Sequence, residues 1–246
     1  MNNIKNNILA ASALLACATL PGCRDSGNDD SSYFGSFVTQ YFLADSISIR
    51  PDKKHGDTFL VGSYRYHIYR HDETRPARRR VYDNLCTKHG DASYDRWEGP
   101  GFSNRALGHD WASIELASDA DYAEGYPAGS SLAPLAGFEG VTYGPYIRSG
   151  YTLSPTLVRY PVNAMLDELR PTDMTLLGIR EQAVYKDSWE GENLYEDWYA
   201  FCYFARLRLL SPPTLSQTHN FTLTLTTDEG RAFTADFRAV FAGPDE

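Results

Sequence analysis

The chain has 246 residues, of which 42% are hydrophobic and 13% aromatic, including 17 tyrosines. These fractions can fill a sizeable core, so we expect a globular body rather than a disordered one. The formal net charge of −9 argues against nucleic acid as a partner and against general attraction to anionic lipid.

The first 22 residues have the pattern of a lipoprotein signal peptide. A polar start with Lys5 precedes an apolar run over residues 8–20, too short and too weakly apolar for a membrane span of about 20 residues. Polarity rises sharply after Cys23, so Cys23 is the predicted lipidation site. Cys17 follows Leu-Leu-Ala, which fits the usual lipoprotein pattern better than the Pro-Gly before Cys23. Cys17 therefore stays an alternative, as does ordinary secretion.

Residues 23–32 are expected to form a disordered acidic leash, because Asp, Ser, Asn and Gly offer little apolar surface to bury. Two or three acyl chains on one cysteine make a lasting anchor, since each buried CH₂ contributes about 0.8 kcal/mol. We therefore predict a cell-envelope protein anchored by lipid to the outer membrane, on its surface or its periplasmic face. Residues 33–246 are predicted to be a single β-sandwich domain.

Alternating apolar residues predict several strands in this body. The first ones lie within residues 33–49 and 58–70, and another lies at 110–117. Two more are predicted at 174–184 and 199–210.

One short helix is predicted near 161–169. Val162, Leu166 and Leu169 recur at helical spacing, and Pro161 suits the first turn of a helix. Pro171 would end it.

A charged segment at residues 71–80 is predicted as a loop that carries four arginines, Arg75, Arg78, Arg79 and Arg80. It is interpreted either as an anion or phosphoglycan site or as a solvated basic loop that offsets nearby acids. Residues 83–105 have little periodicity and are also predicted as loop.

The C-terminus predicts a β-hairpin. Phe221, Leu223 and Leu225 alternate with threonines, residues 228–230 form a turn, and apolar residues return at alternate positions as far as Phe241. The apolar face of this hairpin needs a second layer to cover it. Together with many short strands and turns rich in Gly and Pro, it favours an all-β fold, mainly an antiparallel β-sandwich of Ig-like character.

The leader and one phrase of the body resemble uncharacterised surface lipoprotein families of Bacteroidetes. The resemblance is carried by Cys23 with its Asp-rich leash, by residues 118–132, which begin Ser-Asp-Ala-Asp-Tyr, and by the closing strands. It implies export to the envelope and a β-rich body in which residues 118–132 join two strands. Arg24 departs from the pattern and leaves surface or periplasmic placement open. Residues 45–47 are similar to the O-glycosylation signal of those bacteria.

Cys86 and Cys202 are the two cysteines beyond the leash. In an oxidising envelope, two cysteines far apart in sequence predict one disulfide, which would add roughly 4–5 kcal/mol by loop closure. The alternative of two buried thiols that never meet stays open.

An acidic and aromatic segment at residues 187–199 is the candidate ligand site. Aromatic faces stack on sugar rings and carboxylates accept hydrogen bonds from hydroxyls, which points to a glycan. A glycosidase would also need two carboxylates about 5 or about 6.5–9.5 Å apart. The other interpretation is an acidic loop whose tryptophan packs into the sandwich. The candidate ligand-binding residues are Trp189, Tyr195, Trp198 and Tyr199.

No metal, cofactor or catalytic residue is predicted. His67 and His71 lie about 13 Å apart if both are on one strand, too far for one ion. Asp119, Asp121 and Glu124 have calcium-like spacing but lack the full twelve-residue loop. The sequence contains neither a Gly-x-Ser-x-Gly elbow nor a His-Glu-x-x-His motif.

These observations predict a lipid-anchored envelope protein that acts without catalysis as a binding or assembly module. Its expected partner is a membrane through the lipid, and either a glycan or another envelope protein. A glycan-binding lipoprotein that uses residues 187–199 is the first alternative, and a secreted hydrolase is the second.

Overall fold

A computed structural model describes residues 32–52, 55–153, 158–184 and 199–241. Most of them form strands, and the all-β, sandwich-like fold expected from the sequence is confirmed. In the part of the chain that the structure describes, no helix has both the length and the apolar composition to cross a membrane. The elements in chain order are β1 (Ser32–Phe34), β2 (Gln40–Ala44), β3 (Ser48–Asp52), β4 (His55–Ser63), β5 (Tyr66–Arg70), α1 (Pro76–His89), β6 (Arg96–Glu98), β7 (Arg105–Leu107), β8 (Trp111–Ser118), β9 (Ala136–Thr142), α2 (Gly144–Arg148), β10 (Tyr160–Met165), β11 (Arg180–Val184), β12 (Tyr199–Leu209), β13 (Thr218–Thr227) and β14 (Ala232–Val240).

The strands of the described residues form four sheets. The largest has the order β10-β9-β12-β4-β3, and β11 is also paired with β12. A three-stranded sheet has the order β14-β13-β8. Two smaller sheets are β5-β2-β7, in which β2 and β7 run parallel, and the two-stranded β1-β6.

The main core lies between the largest sheet and the sheet of β8, β13 and β14. Phe59 of β4 contacts Phe237 of β14 with ring centroids 4.6 Å apart. Phe204 of β12 stacks on Trp111 of β8 at 5.9 Å, and Trp111 is only 1% exposed. Burial of each such side chain stabilises the fold by about 1.5–3 kcal/mol, so these contacts hold the two layers together.

A second core is largely aromatic and surrounds the fully buried Asp91. Its carboxylate accepts hydrogen bonds from the backbone N–H groups of Phe37 at 2.8 Å and Val38 at 2.7 Å. The Tyr151 hydroxyl donates a third bond to it at 2.8 Å. Asp91 thereby joins the end of α1 to the start of β2. The aromatic residues of this core are Phe34, Phe37, Tyr41, Tyr82, Tyr94, Tyr143, Tyr146 and Tyr151.

The helix predicted near 161–169 is wrong. Residues 160–165 form β10, which pairs with β9, and only Leu166–Glu168 makes a single 3₁₀ turn. Pro161 is tolerated in β10 because β10 is at the edge of its sheet, where a missing N–H is not needed. Val162 and Leu166 are buried, as the apolar spacing implied, but a strand and a turn bury them.

The longer of the two α-helices in the described residues, α1, covers residues that were predicted as loop. Its first turn is rich in arginine, and its buried residues are Tyr82, Leu85 and Cys86, which makes a weak amphipathic pattern. Two local signals were nevertheless present. Pro76 lies at the first helical position, and Gly90 ends the helix in the left-handed conformation with φ 70°.

The predicted strand at 58–70 is in fact two strands in different sheets. β4 ends at Ser63 and β5 begins at Tyr66, and the Ser63 hydroxyl donates to the Arg65 carbonyl at 2.7 Å in the turn between them. The C-terminal hairpin is confirmed, with Phe221 paired to Phe237 across β13 and β14.

Candidate functional site

A cavity of about 280 Å³ opens where two strands meet on the same edge of β12. β11 pairs with residues 199–203 of β12 and β9 pairs with residues 205–209. Between them, Tyr203 pairs with Gly62 and Ala205 pairs with Val61 of β4, so Phe204 is the extra residue of a β-bulge. A bulge bends its strand locally, and the cavity lies at this irregularity.

One part of the cavity wall consists of charged and polar side chains that the sheet register brings together, and the rest is apolar or glycine. Asn163 of β10 lies opposite Glu139 of β9, and Glu139 lies opposite Arg206 of β12. Arg180 of β11 lies opposite Tyr203. Directly opposed residues share a face of the sheet, so these five side chains line one polar surface of the cavity.

Arg206 is held in place by its neighbours. Its Nε lies 3.4 Å from Oδ2 of Asp52, which is 6% exposed. Its guanidinium carbon lies 6.0 Å from the centre of the Tyr203 ring, within cation–π range. These two contacts fix the side chain against the wall of the cavity.

More arginines converge beside the cavity around the buried Tyr143. The Ile179 N–H donates to the Arg105 carbonyl at 2.9 Å, which places Arg105 next to Arg180. Thr142 pairs with Tyr160, so the next opposed positions are Tyr143 and Arg159. Burial raises the pKa of the Tyr143 hydroxyl, and the positive charges of these arginines, led by Arg159, oppose that rise.

We call Arg105, Arg159, Arg180 and Arg206 the arginine cluster. Its members come from β7, β11, β12 and the residue before β10, and they lie in a chain with a net charge of −9. A guanidinium binds carboxylate, sulfate or phosphate through a planar fork of N–H donors. Sequence reasoning missed the cluster because its members are spread over the chain, and no local pattern links them.

Three of the four arginines in the basic segment that the sequence offered as an anion site are paired with acids in the structure. Arg75 donates to Glu73 at 2.8 Å, and Arg78 also donates to Glu73 at 2.8 Å. The hydrogen bond from Arg75, followed by that from Arg78, lowers the pKa of Glu73 to about 2. Arg79 is paired with Asp83 at 2.8 Å. These guanidiniums therefore bind acids around the start of α1. This favours the interpretation of the segment as a solvated basic stretch that offsets nearby acids.

The predicted aromatic site falls mostly outside the described residues. Trp189, Tyr195 and Trp198 are not among them, and Tyr199 is the first residue of β12. Tyr199 is the register partner of Val184, the last residue of β11. The leader, Cys17 and Cys23 also lie outside the described residues.

The disulfide predicted between Cys86 and Cys202 is absent from the structure, and this corrects the sequence interpretation. Both cysteines are buried, at 5% and 3% exposed, and no bond joins them. Cys86 is on α1 inside the aromatic core, whereas Cys202 is on β12 opposite Ser63 of β4. Because α1 packs in the aromatic core and β12 pairs with β4 in the largest sheet, the two cysteines remain separate thiols.

The acids considered for calcium bind backbone and amide groups instead. Asp119 accepts from the backbone N–H of Asn220 at 2.8 Å and from its side-chain amide at 2.6 Å. Asp121 accepts from the N–H of Ala128 at 2.9 Å. Across the described ranges, no group of three or more His, Cys, Asp or Glu is arranged to hold a metal ion.

A serine–histidine pair does exist, but it is enclosed. The Ser118 Oγ lies 2.7 Å from Nδ1 of His219, and Nε2 of His219 lies 2.7 Å from the Ser216 carbonyl. Since a carbonyl only accepts, Nε2 carries the proton and Ser118 donates to Nδ1. Ser118 is 4% exposed and His219 is fully buried. A substrate therefore cannot reach this hydroxyl unless the surrounding structure rearranges. The hydrogen bond between Ser118 and His219 links β8 to β13.

The fold and the site together define an all-β, sandwich-like protein with an arginine-lined cavity at a β-bulge. Comparisons with protein-family models, curated proteins and solved structures find no match to this chain.

Proposed function

We propose that this chain is a lipid-anchored cell-envelope protein that binds an acidic glycan, without catalysis, at the arginine cluster. The observation that carries the proposal is the cavity in which Arg180 and Arg206 lie beside Glu139 and Asn163.

The mixed charge of this cavity favours a sugar acid over a simple anion. Arg180 attracts a carboxylate or sulfate, and Arg206 adds positive charge that Asp52 partly offsets. Glu139, in contrast, repels a second negative charge close by. Glu139 and Asn163 can instead accept hydrogen bonds from hydroxyl groups. A sugar ring that carries one acidic group and several hydroxyls matches this donor and acceptor set.

The size of the cavity agrees with a small ligand. Small-molecule sites usually occupy about 300–1,000 Å³, and this cavity of about 280 Å³ is just below that range. One sugar ring, or the end of a longer chain, suits it better than a large ligand does. The ring of Tyr203 at the wall offers an apolar face for a sugar.

The absence of a catalytic role is part of the proposal. The enclosed Ser118–His219 pair supports it, because the Ser118 hydroxyl is buried and its partner His219 packs against the rings of Tyr122 and Phe221. The glycan site inferred from Trp189, Tyr195, Trp198 and Tyr199 rests on the sequence alone. It stays a second proposal, in which these residues would bind sugar independently of the arginine cluster.

The ligand is tested by measuring binding of glucuronic- and galacturonic-acid oligosaccharides by calorimetry, with the neutral glucose and galactose oligomers as controls. We expect binding of the acidic series only, lost in Arg180→Gln. Arg80→Gln is the matched control, because Arg80 is an exposed arginine on α1 away from the cavity. Equal binding of neutral and acidic sugars, or unchanged binding in Arg180→Gln, contradicts the site. Loss of binding in Trp189→Ala alone supports the second proposal.

The membrane anchor rests on the leader and is tested separately. Mass spectrometry of the mature N-terminus is expected to find acyl chains on Cys23. Cys23→Ser should release the protein from membranes without detergent, and Cys17→Ser should not. Release by Cys17→Ser alone would show that the lipid is on Cys17. A wild-type N-terminus without acyl chains would contradict the lipid anchor.

A further inference from the structure

β14 is a long edge strand that the structure leaves paired on one side. It has nine residues and lies at the end of the order β14-β13-β8. Its register with β13 runs without a shift from Ala232 opposite Thr226 to Val240 opposite Thr218. Within the described residues, its second row of backbone N–H and C=O groups pairs with no strand, although β3 of the largest sheet packs close to β14. Such a row is a template for another strand.

Other edges of the fold carry features that block strand addition. β10 contains Pro161, and β3 contains Pro51 together with a register shift. The edge of β8 is occupied, because the Leu132 N–H donates to the Leu116 carbonyl at 2.8 Å. β14 has neither a proline nor a bulge. Natural edge strands are protected by such features or by exposed charges. The exposed charges of β14, Asp236 and Arg238, are opposite in sign, so they are compatible with pairing between two copies.

The outer face of β14 is self-complementary. Thr234, Asp236, Arg238 and Val240 are exposed, whereas Phe237 faces the core. If two copies of β14 run antiparallel about a two-fold axis at Phe237, Asp236 lies opposite Arg238 of the second copy, and the reverse. In the same register Thr234 lies opposite Val240. Opposite charges directly across a strand pair stabilise it, and like charges destabilise it.

We propose that two copies of this chain pair edge to edge through β14, in the antiparallel register centred on Phe237. The β14-β13-β8 sheet of one copy and that of the other then become one continuous sheet of six strands, β8-β13-β14-β14-β13-β8. The interface is isologous, since each copy contributes the same surface. The ligand cavity on β12 is on the other sheet, so pairing and ligand binding are separate properties.

The test follows the oligomeric state of the full chain by analytical ultracentrifugation over a range of concentrations. Cys17→Ser and Cys23→Ser are present throughout, so that acyl chains do not cause association. We expect a concentration-dependent dimer. Asp236→Arg and Arg238→Asp each place like charges opposite one another and should raise the dimer dissociation constant roughly tenfold or more. The double variant with both changes restores opposite charges and should restore the dimer.

The matched control is Glu115→Arg, which makes the same change of charge on β8, two strands from the proposed interface. It should leave the dissociation constant unchanged. A monomer at every concentration overturns the proposal. So does a dimer that resists both single changes, or one that the double variant fails to restore, because association would then use another surface.

The register is tested by crosslinking. Thr234→Cys combined with Val240→Cys should give a disulfide-linked dimer on mild oxidation, because the two positions face each other across copies and lie too far apart within one strand. Thr234→Cys alone should not crosslink in this register. Efficient crosslinking by the single variant would mean a different alignment and would overturn the proposed one.

Discussion

The Tyr151 hydroxyl donates a 2.8 Å hydrogen bond to the carboxylate of Asp91, 60 positions earlier in the chain. Tyr151 has φ 63°, a left-handed conformation that is strained for a bulky residue. Its side chain is 5% exposed, so burial and the bond to Asp91 hold the strained backbone. This pair ties the segment after α2 to the end of α1.

The buried Asp91 should make stability depend on pH. Burial raises its pKa from 3.8 to about 6, although the hydrogen bonds from Val38, Phe37 and Tyr151 oppose the rise. Between these two pH values the folded chain holds a proton that the unfolded chain has lost. Stability should therefore fall by up to about 3 kcal/mol as the pH rises from 4 to 6.5.

This fall is measured as the free energy of unfolding of the wild type relative to Asp91→Asn at each pH. Burial lowers the pKa of His89 and His109, which makes both proteins gain stability as the pH rises towards 6.5. The difference between the proteins removes that common contribution. If the free energies of unfolding of the wild type and Asp91→Asn changed in parallel with pH, the pKa of Asp91 would not be raised.

Gly62 should be intolerant of any side chain. A Cβ atom at this position would lie 2.6 Å from the Tyr203 Cα and would also clash with the Cys202 carbonyl, both of which are backbone atoms. We expect Gly62→Ala to lower the free energy of unfolding by about 3 kcal/mol or more. It should also weaken binding of acidic sugars, because it separates β4 from β12 at the bulge that forms the cavity.

Gly99→Ala is the control for this effect, since a Cβ atom there meets nothing within 4 Å. Chemical denaturation of both variants gives the comparison. Similar stability of the two would show that β4 and β12 are not as close as the structure has them.

Ser118 should contribute to stability through His219. Ser118→Ala leaves Nδ1 of the fully buried His219 without its donor, and an unsatisfied buried acceptor costs about 1–3 kcal/mol. Thermal or chemical unfolding measures this loss. Ser113→Ala on the same strand should stay within about 0.5 kcal/mol of the wild type. An equal loss of stability in Ser118→Ala and Ser113→Ala would argue against a stabilising bond between Ser118 and His219.

The two thiols should be unreactive in the folded protein. Burial, and then the nearby charge of Asp91, raise the pKa of Cys86 to about 11, and Cys202 is 3% exposed. Labelling with a thiol reagent should be slow at pH 8 and reach both cysteines on unfolding. Intact mass under non-reducing conditions should show both thiols protonated. A mass lower by two hydrogens would instead show that Cys86 and Cys202 form a disulfide.

Strand patterns were predicted well where a single face is buried. Leu223 and Leu225 alternate with exposed or half-exposed threonines, and this period of two is preserved in β13. The pattern at Val162 and Leu166 was ambiguous, because apolar residues four apart also fit a strand followed by a turn. Sheet pairing with β9 decided in favour of the strand. For α1 the sequence showed its ends but not its buried face.

The sequence by itself determined the all-β class, the C-terminal hairpin and the prediction of a lipid-bearing leader, because each depends on residues close together in the chain. Only the tertiary structure decided the separation of Cys86 from Cys202, the buried position of Asp91 and the arginine cluster. Arg180 and Arg206 line one cavity through strand pairing and a bulge. Those depend on contacts between distant segments, which local periodicity does not encode.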